Sequence, residues 1–289
     1  MIVVRLQGGL GNQLFQYAAG RALSLYHGVE LALDKSWFDS IPLNNTPRLY
    51  ALDSYNINAR DLSAPEKKSA LLYGHRVFSR IGLLHVKWKL MRENGFDFNE
   101  NYKFAPDNSF LIGYWQSPIY FKDFSETLKS ELIPRENLKK HHLLTIEAMS
   151  SSNSISVHVR RGDYINNPIS ANYHGACSVD YYLNAVEVIA SSAPKPVIYV
   201  FSDDVNWVKS NIKFPYPVRY IEGNTENPIW DLYLMTWCKH HVIANSTFSW
   251  WGAWLGGNCE KIVVAPRHWF HRGEQPRTLF PEEWITLPN

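Results

Sequence analysis

The chain has 289 residues, of which 45% are hydrophobic and 19% charged, and a formal net charge of +2. That balance supplies a sizeable core and excludes disorder, and the near-neutral surface excludes nucleic-acid binding unless basic residues cluster locally. The length fits two domains better than one.

The N-terminus opens directly on the strand-like run Met1-Ile2-Val3-Val4-Arg5-Leu6, and no apolar run approaches about 18 residues. A cytoplasmic protein that does not span a membrane is expected. Three cysteines, Cys177, Cys238 and Cys259, show neither CxxC nor Cys/His metal spacing, and their odd number argues against a disulfide framework. In that compartment the glycosylation sequons at Asn44 and Asn245 have no consequence. Aromatics make up 14% of the chain, including 11 Trp, and serve either core packing or stacking on flat sugar faces.

Along the chain, Ile2 to Leu6 predicts a strand, Gly8 to Gln13 a glycine-rich turn, and Leu14, Phe15, Ala18, Ala22 and Leu25 recur at helical spacing. Val29 to Leu33 predicts a second strand. From about Ser36 to Tyr120 the pattern is irregular, with helical stretches only at Ala64 to Tyr73 and Tyr120 to Leu132. The polar stretch Arg135 to Asn153 marks the expected boundary between an N-terminal domain, 1–150, and a C-terminal domain, 151–289. Beyond it, strands are predicted at Ser154 to Val159, Val197 to Ser202, Val218 to Glu222, His241 to Asn245 and Lys261 to Ala265. Helices alternate with them at Val179 to Ser191, Val205 to Ile212, Pro228 to Lys239 and Phe248 to Leu255. Such a βαβ succession predicts an α/β fold with a doubly wound parallel sheet in the C-terminal half.

Ligands of open parallel sheets bind beyond the carboxyl ends of the strands, so the residues just after each strand carry the functional signal. After the first C-terminal strand come Arg160, Arg161 and Asp163; after the second, Asp203 and Asp204; after the third, Gly223 and Asn224; after the fourth, Ser246, Thr247 and Ser249. Two adjacent arginines at a strand end supply forked cationic donors for a diphosphate, or else pair with a carboxylate such as Asp163. The run from Asn245 to Trp251 leaves a strand and enters a helix, which is an anion site by geometry and equally an ordinary N-cap.

In the N-terminal turn, Gly9-x-Gly11, with Asp34 ending the next strand, imitates a dinucleotide fingerprint, but Leu14 stands where the third glycine would allow close helix packing. What remains is a glycine turn that is expected to offer its backbone amides, with the side-chain amides of Asn12 and Gln13, towards an interdomain cleft. The carboxylates of Asp203 and Asp204 are adjacent and should diverge, which fits hydrogen bonding or capping and not a shared metal. No metal or cofactor is expected, and no HExxH, GxSxG or Walker loop occurs.

Three segments together resemble glycosyltransferase family 11, the α-1,2-fucosyltransferases: Gly8 to Ala18, His158 to Tyr164, and Ser246 to Leu255. The short form resembles the bacterial members, which act in O-antigen biosynthesis. The resemblance implies a GT-B-like architecture, two Rossmann-like domains facing a cleft, the N-terminal one mainly on the acceptor side. It implies an inverting, metal-independent transfer of L-fucose from GDP-β-L-fucose to O2 of a terminal β-galactose on a glycan acceptor. By the same resemblance Arg160 binds the diphosphate, Arg161 assists, and His158 lies against the nucleoside. Asp231 reads the guanine edge, Ser246, Thr247, Phe248 and Ser249 surround the phosphates, and Gly9, Gly11 and Asn12 close over the donor.

Asp163 is the candidate base for the acceptor hydroxyl, or an internal partner of the arginines. A non-catalytic GDP-sugar or glycan binder and a nucleotide-sugar oxidoreductase are the competing readings. The Lys139 to His142 cluster is a candidate for peripheral contact with an inner membrane carrying a lipid-linked acceptor.

Overall fold

A computed structural model describes residues 1–39, 47–74, 88–162, 175–224 and 227–289. The chain divides into two compact units, Met1–Ile133 with Pro276–Phe280, and Pro134–Gln275 with Pro281–Asn289.

The first unit runs β1 (Ile2–Arg5), α1 (Leu10–His27), β2 (Leu31–Asp34), a short α2 (Ser36–Asp39), β3 (Arg60–Asp61), α3 (Ala64–Gly74), β4 (Lys89–Arg92), β5 (Ser109–Ile112) and α4 (Ser125–Glu131). Its five strands form a parallel sheet in the order β3-β2-β1-β5-β4. The apolar runs of β1 and β2 are buried because both faces of a parallel sheet are covered. Val3, Ala32 and Phe110 pack against Leu62, Ala70 and Trp88 on one face. Helix α1 stops where Gly28 adopts the left-handed conformation, and the amides of Gly28 and Val29 reach the carbonyls of Leu25 and Ser24 at 3.2 and 3.0 Å. The close approach of α1 to the sheet comes at Gly20: a Cβ there would meet Val4 and Leu31 at 3.0 Å. Leu14 is simply core.

The second unit runs α5 (Lys140–Ser150), β6 (Asn153–Val159), α6 (Val179–Ala190), β7 (Pro196–Ser202), α7 (Val205–Asn211), β8 (Val218–Tyr220), α8 (Ile229–Met235), β9 (His240–Val242), α9 (Thr247–Trp254), β10 (Val263–Pro266) and β11 (Ile285–Leu287). Its sheet is parallel throughout, in the order β11-β10-β9-β6-β7-β8. On one face Tyr181, Tyr182, Val186 and Ile189 of α6 pack on Val157, Val200, Val242 and Val264. On the other, α5 and α8 pack Ile146, Met149, Leu234 and Met235 onto Tyr199 and Phe201.

The C-terminal sheet is therefore doubly wound, as the alternation of strand and helix periodicities predicts. The change of unit falls at Ile133/Pro134, before the boundary at residue 150 that the polar stretch Arg135 to Asn153 suggests. The difference is α5, whose buried His142, Ile146 and Met149 dock it on the second sheet. The helices expected from Pro228 and from Tyr120 are shorter than predicted. The first ends at Met235, and the second begins only at Ser125, after two turns of 3₁₀ helix.

Candidate functional site

From central β6 the chain of the second unit steps outward to β7 and β8, then returns across β6 to form β9. The point of reversal lies between the carboxyl ends of β6 and β9, where open α/β sheets bind ligands. Arg160 leaves one of these ends and Ser246 the other.

At the β6 end the turn is held by Asp203, the first residue after β7. Its Oδ1 accepts the Arg161 amide at 2.9 Å and its Oδ2 the Gly162 amide at 3.0 Å. The same Oδ2 lies 2.9 Å from Arg160 Nη1. A Cβ on Gly162 would come within 2.7 Å of that oxygen, so the turn needs glycine for the carboxylate to approach. Asp203 thus fixes both the backbone that presents Arg160 and one prong of its fork.

Arg161 is used differently. Its guanidinium lies 3.5 Å above the Trp207 ring, and its Nε is 3.5 Å from the Asp204 carboxylate, too far for a strong hydrogen bond. Asp204 caps α7 by accepting the Trp207 amide at 3.1 Å. The two adjacent carboxylates diverge as sequence geometry requires, one to a neighbouring turn and one to its own helix. Among the described residues no three His, Cys, Asp or Glu side chains form a cluster able to hold a metal ion.

At the β9 end Ser246 occupies the N-cap of α9 in extended backbone, and its hydroxyl makes no capping hydrogen bond. Ser246 therefore leaves the dipole of the first turn of α9 without a cap from its own hydroxyl. Ser249 departs from the expectation that its hydroxyl faces a phosphate: it is buried, and it donates toward the Ser246 and Ala244 carbonyls at 3.2 and 3.4 Å. A serine one turn into a helix has those carbonyls within reach, and burial leaves it few other partners. Phe248 brings the two strand ends together, its ring centroid 5.5 Å from that of His158. Burial pushes His158 down to about 4; Arg160 works in the same direction and Asp203 opposes it. The imidazole is neutral at physiological pH, so the positive charge beside it belongs to Arg160.

Asp231 sits in the first turn of α8, where burial pushes its carboxyl up to about 6 against the donation of Asn224 Nδ2 at 2.8 Å. Asn224 is itself buried, a partner that its loop position after β8 did not reveal in the sequence.

Gly9, Gly11 and Asn12 belong to the first unit. Gly8 is left-handed, with φ of +77°, and a Cβ there would meet Asn12 Nδ2 at 2.7 Å. Gly9 is the N-cap of α1, again without a side-chain cap, and Asn12 Oδ1 accepts Gln116 Nε2 at 3.0 Å. Gln13 corrects the sequence reading. Its side-chain amide is not on offer to a ligand: it is fully buried, donates to the Gly8 and Leu49 carbonyls at 3.0 and 2.9 Å, and accepts the Ala51 amide at 3.0 Å. Gln16 latches the same way, between the Gln7 amide and the Gly113 carbonyl. Asp163, the candidate base, lies outside the described residues.

The family model described as Glycosyl transferase family 11 matches residues 85–288. The chain belongs to glycosyl transferase family 11. It is 34% identical over 296 residues to an Escherichia coli alpha-1,2-colitosyltransferase, covering 99% of each chain. It is 35% identical over 300 residues to the Escherichia coli O-antigen biosynthesis glycosyltransferase WbnK, covering 98% of this chain and 99% of the relative. Among solved structures, the Arabidopsis thaliana FUT1 mutant in complex with GDP superposes with a TM-score of 0.54 at 13% identity, covering 97% of this chain and 74% of that one. That likeness is one of fold, GT-B, and this chain has the two parallel-sheet α/β units of that fold. As a family 11 member the chain is a glycosyltransferase, which sets aside the non-catalytic binder and the oxidoreductase. Among the described residues no helix is long and apolar enough to cross a membrane.

Proposed function

We propose that this glycosyltransferase moves L-fucose from GDP-β-L-fucose to O2 of a terminal β-galactose, inverting the anomeric centre and using no metal, in the assembly of a surface polysaccharide. The observation that carries the proposal is Arg160, held by Asp203 at 2.9 Å at the end of β6, whose neighbour β9 leads into α9 and its N-cap Ser246, which makes no side-chain capping bond. When the acceptor oxygen attacks the anomeric carbon, the bond to the β-phosphate breaks and negative charge grows on the departing GDP. Donors already fixed where that charge develops stabilise the transition state without reorganising. Arg160 and the first turn of α9 fill that role, with His158 and Phe248 packing the nucleoside side and Asp231 accepting from the guanine edge. Asp203 supports the metal-free reading, because its carboxylate is occupied by two backbone amides and Arg160. We assign proton removal from the acceptor to Asp163.

The name of the Escherichia coli colitosyltransferase favours a second donor, GDP-colitose, whose sugar is the 3-deoxy counterpart of L-fucose. A single assay separates the two. Each GDP-sugar is incubated in EDTA with lactose, Galβ1-3GalNAc or Galβ1-3GlcNAc, and the product linkage is read by NMR. An α-1,2-fucosylated galactoside formed in EDTA supports the proposal. Transfer of colitose alone, or a requirement for divalent metal, overturns it.

A further inference from the structure

Asp231 does not stand alone. His142 from α5, Asn224 after β8 and Asp231 at the start of α8 form one hydrogen-bonded line, with His142 Nε2 3.2 Å from Asn224 Oδ1 and Asn224 Nδ2 2.8 Å from Asp231 Oδ1. The first two are buried, and the His142 ring lies against Trp230, the residue before Asp231, with centroids 4.7 Å apart. Donor and acceptor roles along the line are forced. A carboxylate accepts, so the Asn224 amide must turn its nitrogen to Asp231 and its oxygen to His142. His142 must then carry its proton on Nε2, and among the described residues its buried Nδ1 has no hydrogen-bond partner.

We infer that Asn224, oriented by His142, is a positioning residue that keeps the Asp231 carboxylate ionised and aimed at the base of the nucleotide donor. The inference rests on the reading of Asp231 as the carboxylate at the guanine edge. A guanine presents two parallel donors, N1–H and the 2-amino group, and only an ionised carboxylate accepts both. Burial works against ionisation here, and the Asn224 amide is the side-chain donor that opposes it. No titration of His142 is needed. Burial, followed by the charges of His141 and Lys139, keeps its ring below the ordinary histidine range, against the pull of Asn224, and the proton on Nε2 is present in either state.

The test is calorimetric titration of GDP into the full-length parent, Asn224→Leu, Asn224→Ser and Asp231→Asn from pH 5.5 to 8.5, with thermal melts as a check of folding. Parent affinity falls as pH drops through about 6. Asn224→Leu, which removes the donor, moves that fall upward: at pH 6.5 it binds GDP about tenfold more weakly than the parent, and at pH 8.5 it recovers to within about twofold. Asn224→Ser keeps a hydroxyl donor and lies between the two, and it carries the test if the leucine variant does not fold. A loss of equal size at every pH, or no loss at all, overturns the inference. The underlying reading fails separately, if Asp231→Asn binds GDP as tightly as the parent at pH 8.

Discussion

Replacing Asp203 by Asn probes the turn that presents Arg160. The carboxylate accepts three donors, the amides of Arg161 and Gly162 and the Arg160 guanidinium, at 2.9, 3.0 and 2.9 Å. An asparagine oxygen can still accept the Arg161 amide, but its nitrogen then points a donor at the other two donors. Hydrogen bonds to charged groups contribute roughly 1.5–3 kcal/mol each when buried. This carboxylate is 25% exposed and its arginine partner 24%, so water recovers part of the loss, leaving a cost on the order of 2 kcal/mol. If Arg160 matters chiefly in the transition state, that cost appears as about 30-fold in turnover. Transfer of labelled fucose from GDP-fucose at saturating acceptor, alongside a thermal melt, reads rate and fold separately. The expected result is a variant that melts near the parent but turns over about 10–30-fold more slowly. Turnover within twofold of the parent, with GDP affinity unchanged, would refute the clamp.

The remaining predictions test other joints of the structure. Gly162→Ala forces a methyl to within 2.7 Å of Asp203 Oδ2, so turnover should drop about tenfold with little change in melting temperature, and a fully active Gly162→Ala enzyme would contradict the geometry. Gly20→Val crowds Val4 and Leu31 at contacts already 3.0 Å from a single added carbon, which should destabilise the fold by about 1–3 kcal/mol in urea unfolding. Trp207→Leu removes the platform under Arg161 and should cost about 0.5–1 kcal/mol of stability, with activity falling only modestly. Glu93 is pushed up to about 7 by burial, although its oxygens accept the Tyr114 and Trp115 amides. With a folded value above the ordinary 4.5, its contribution to stability is present below pH 4.5 and lost as pH rises through 7. The melting temperature of Glu93→Gln should therefore rise relative to the parent between pH 5 and 8, and a flat difference would refute that assignment.

What the sequence made legible was local. Arg160 follows the alternating Ile155, Val157 and Val159, and Ser246 follows Val242, Ile243 and Ala244, so their place after strands is legible from pattern alone, and so is the divergence of Asp203 and Asp204. The partners of those carboxylates could not: Asp203 meets the Arg160–Gly162 turn because β6 and β7 pair in register, Val159 opposite Ser202. The first sheet was hidden by its own construction, because β3 has only two residues, and β4 carries Lys89 and Arg92 on an edge strand. Its core is made across distance, with Trp88 on Phe110 at 5.9 Å. Helix α5 reads as a polar boundary in the sequence because its basic start masks the buried spacing of His142, Ile146 and Met149. Gln13 and Ser249 present the opposite case: polar side chains inside recognisable motifs suggest a ligand, while the fold uses them to satisfy buried backbone carbonyls.

Whether Arg160 stabilises the departing diphosphate is decided by Arg160→Ala measured in EDTA with GDP-fucose and a galactoside acceptor. The expected result is a fall in kcat of at least about 100-fold in a protein that still folds. A variant that keeps near-parental kcat would contradict it.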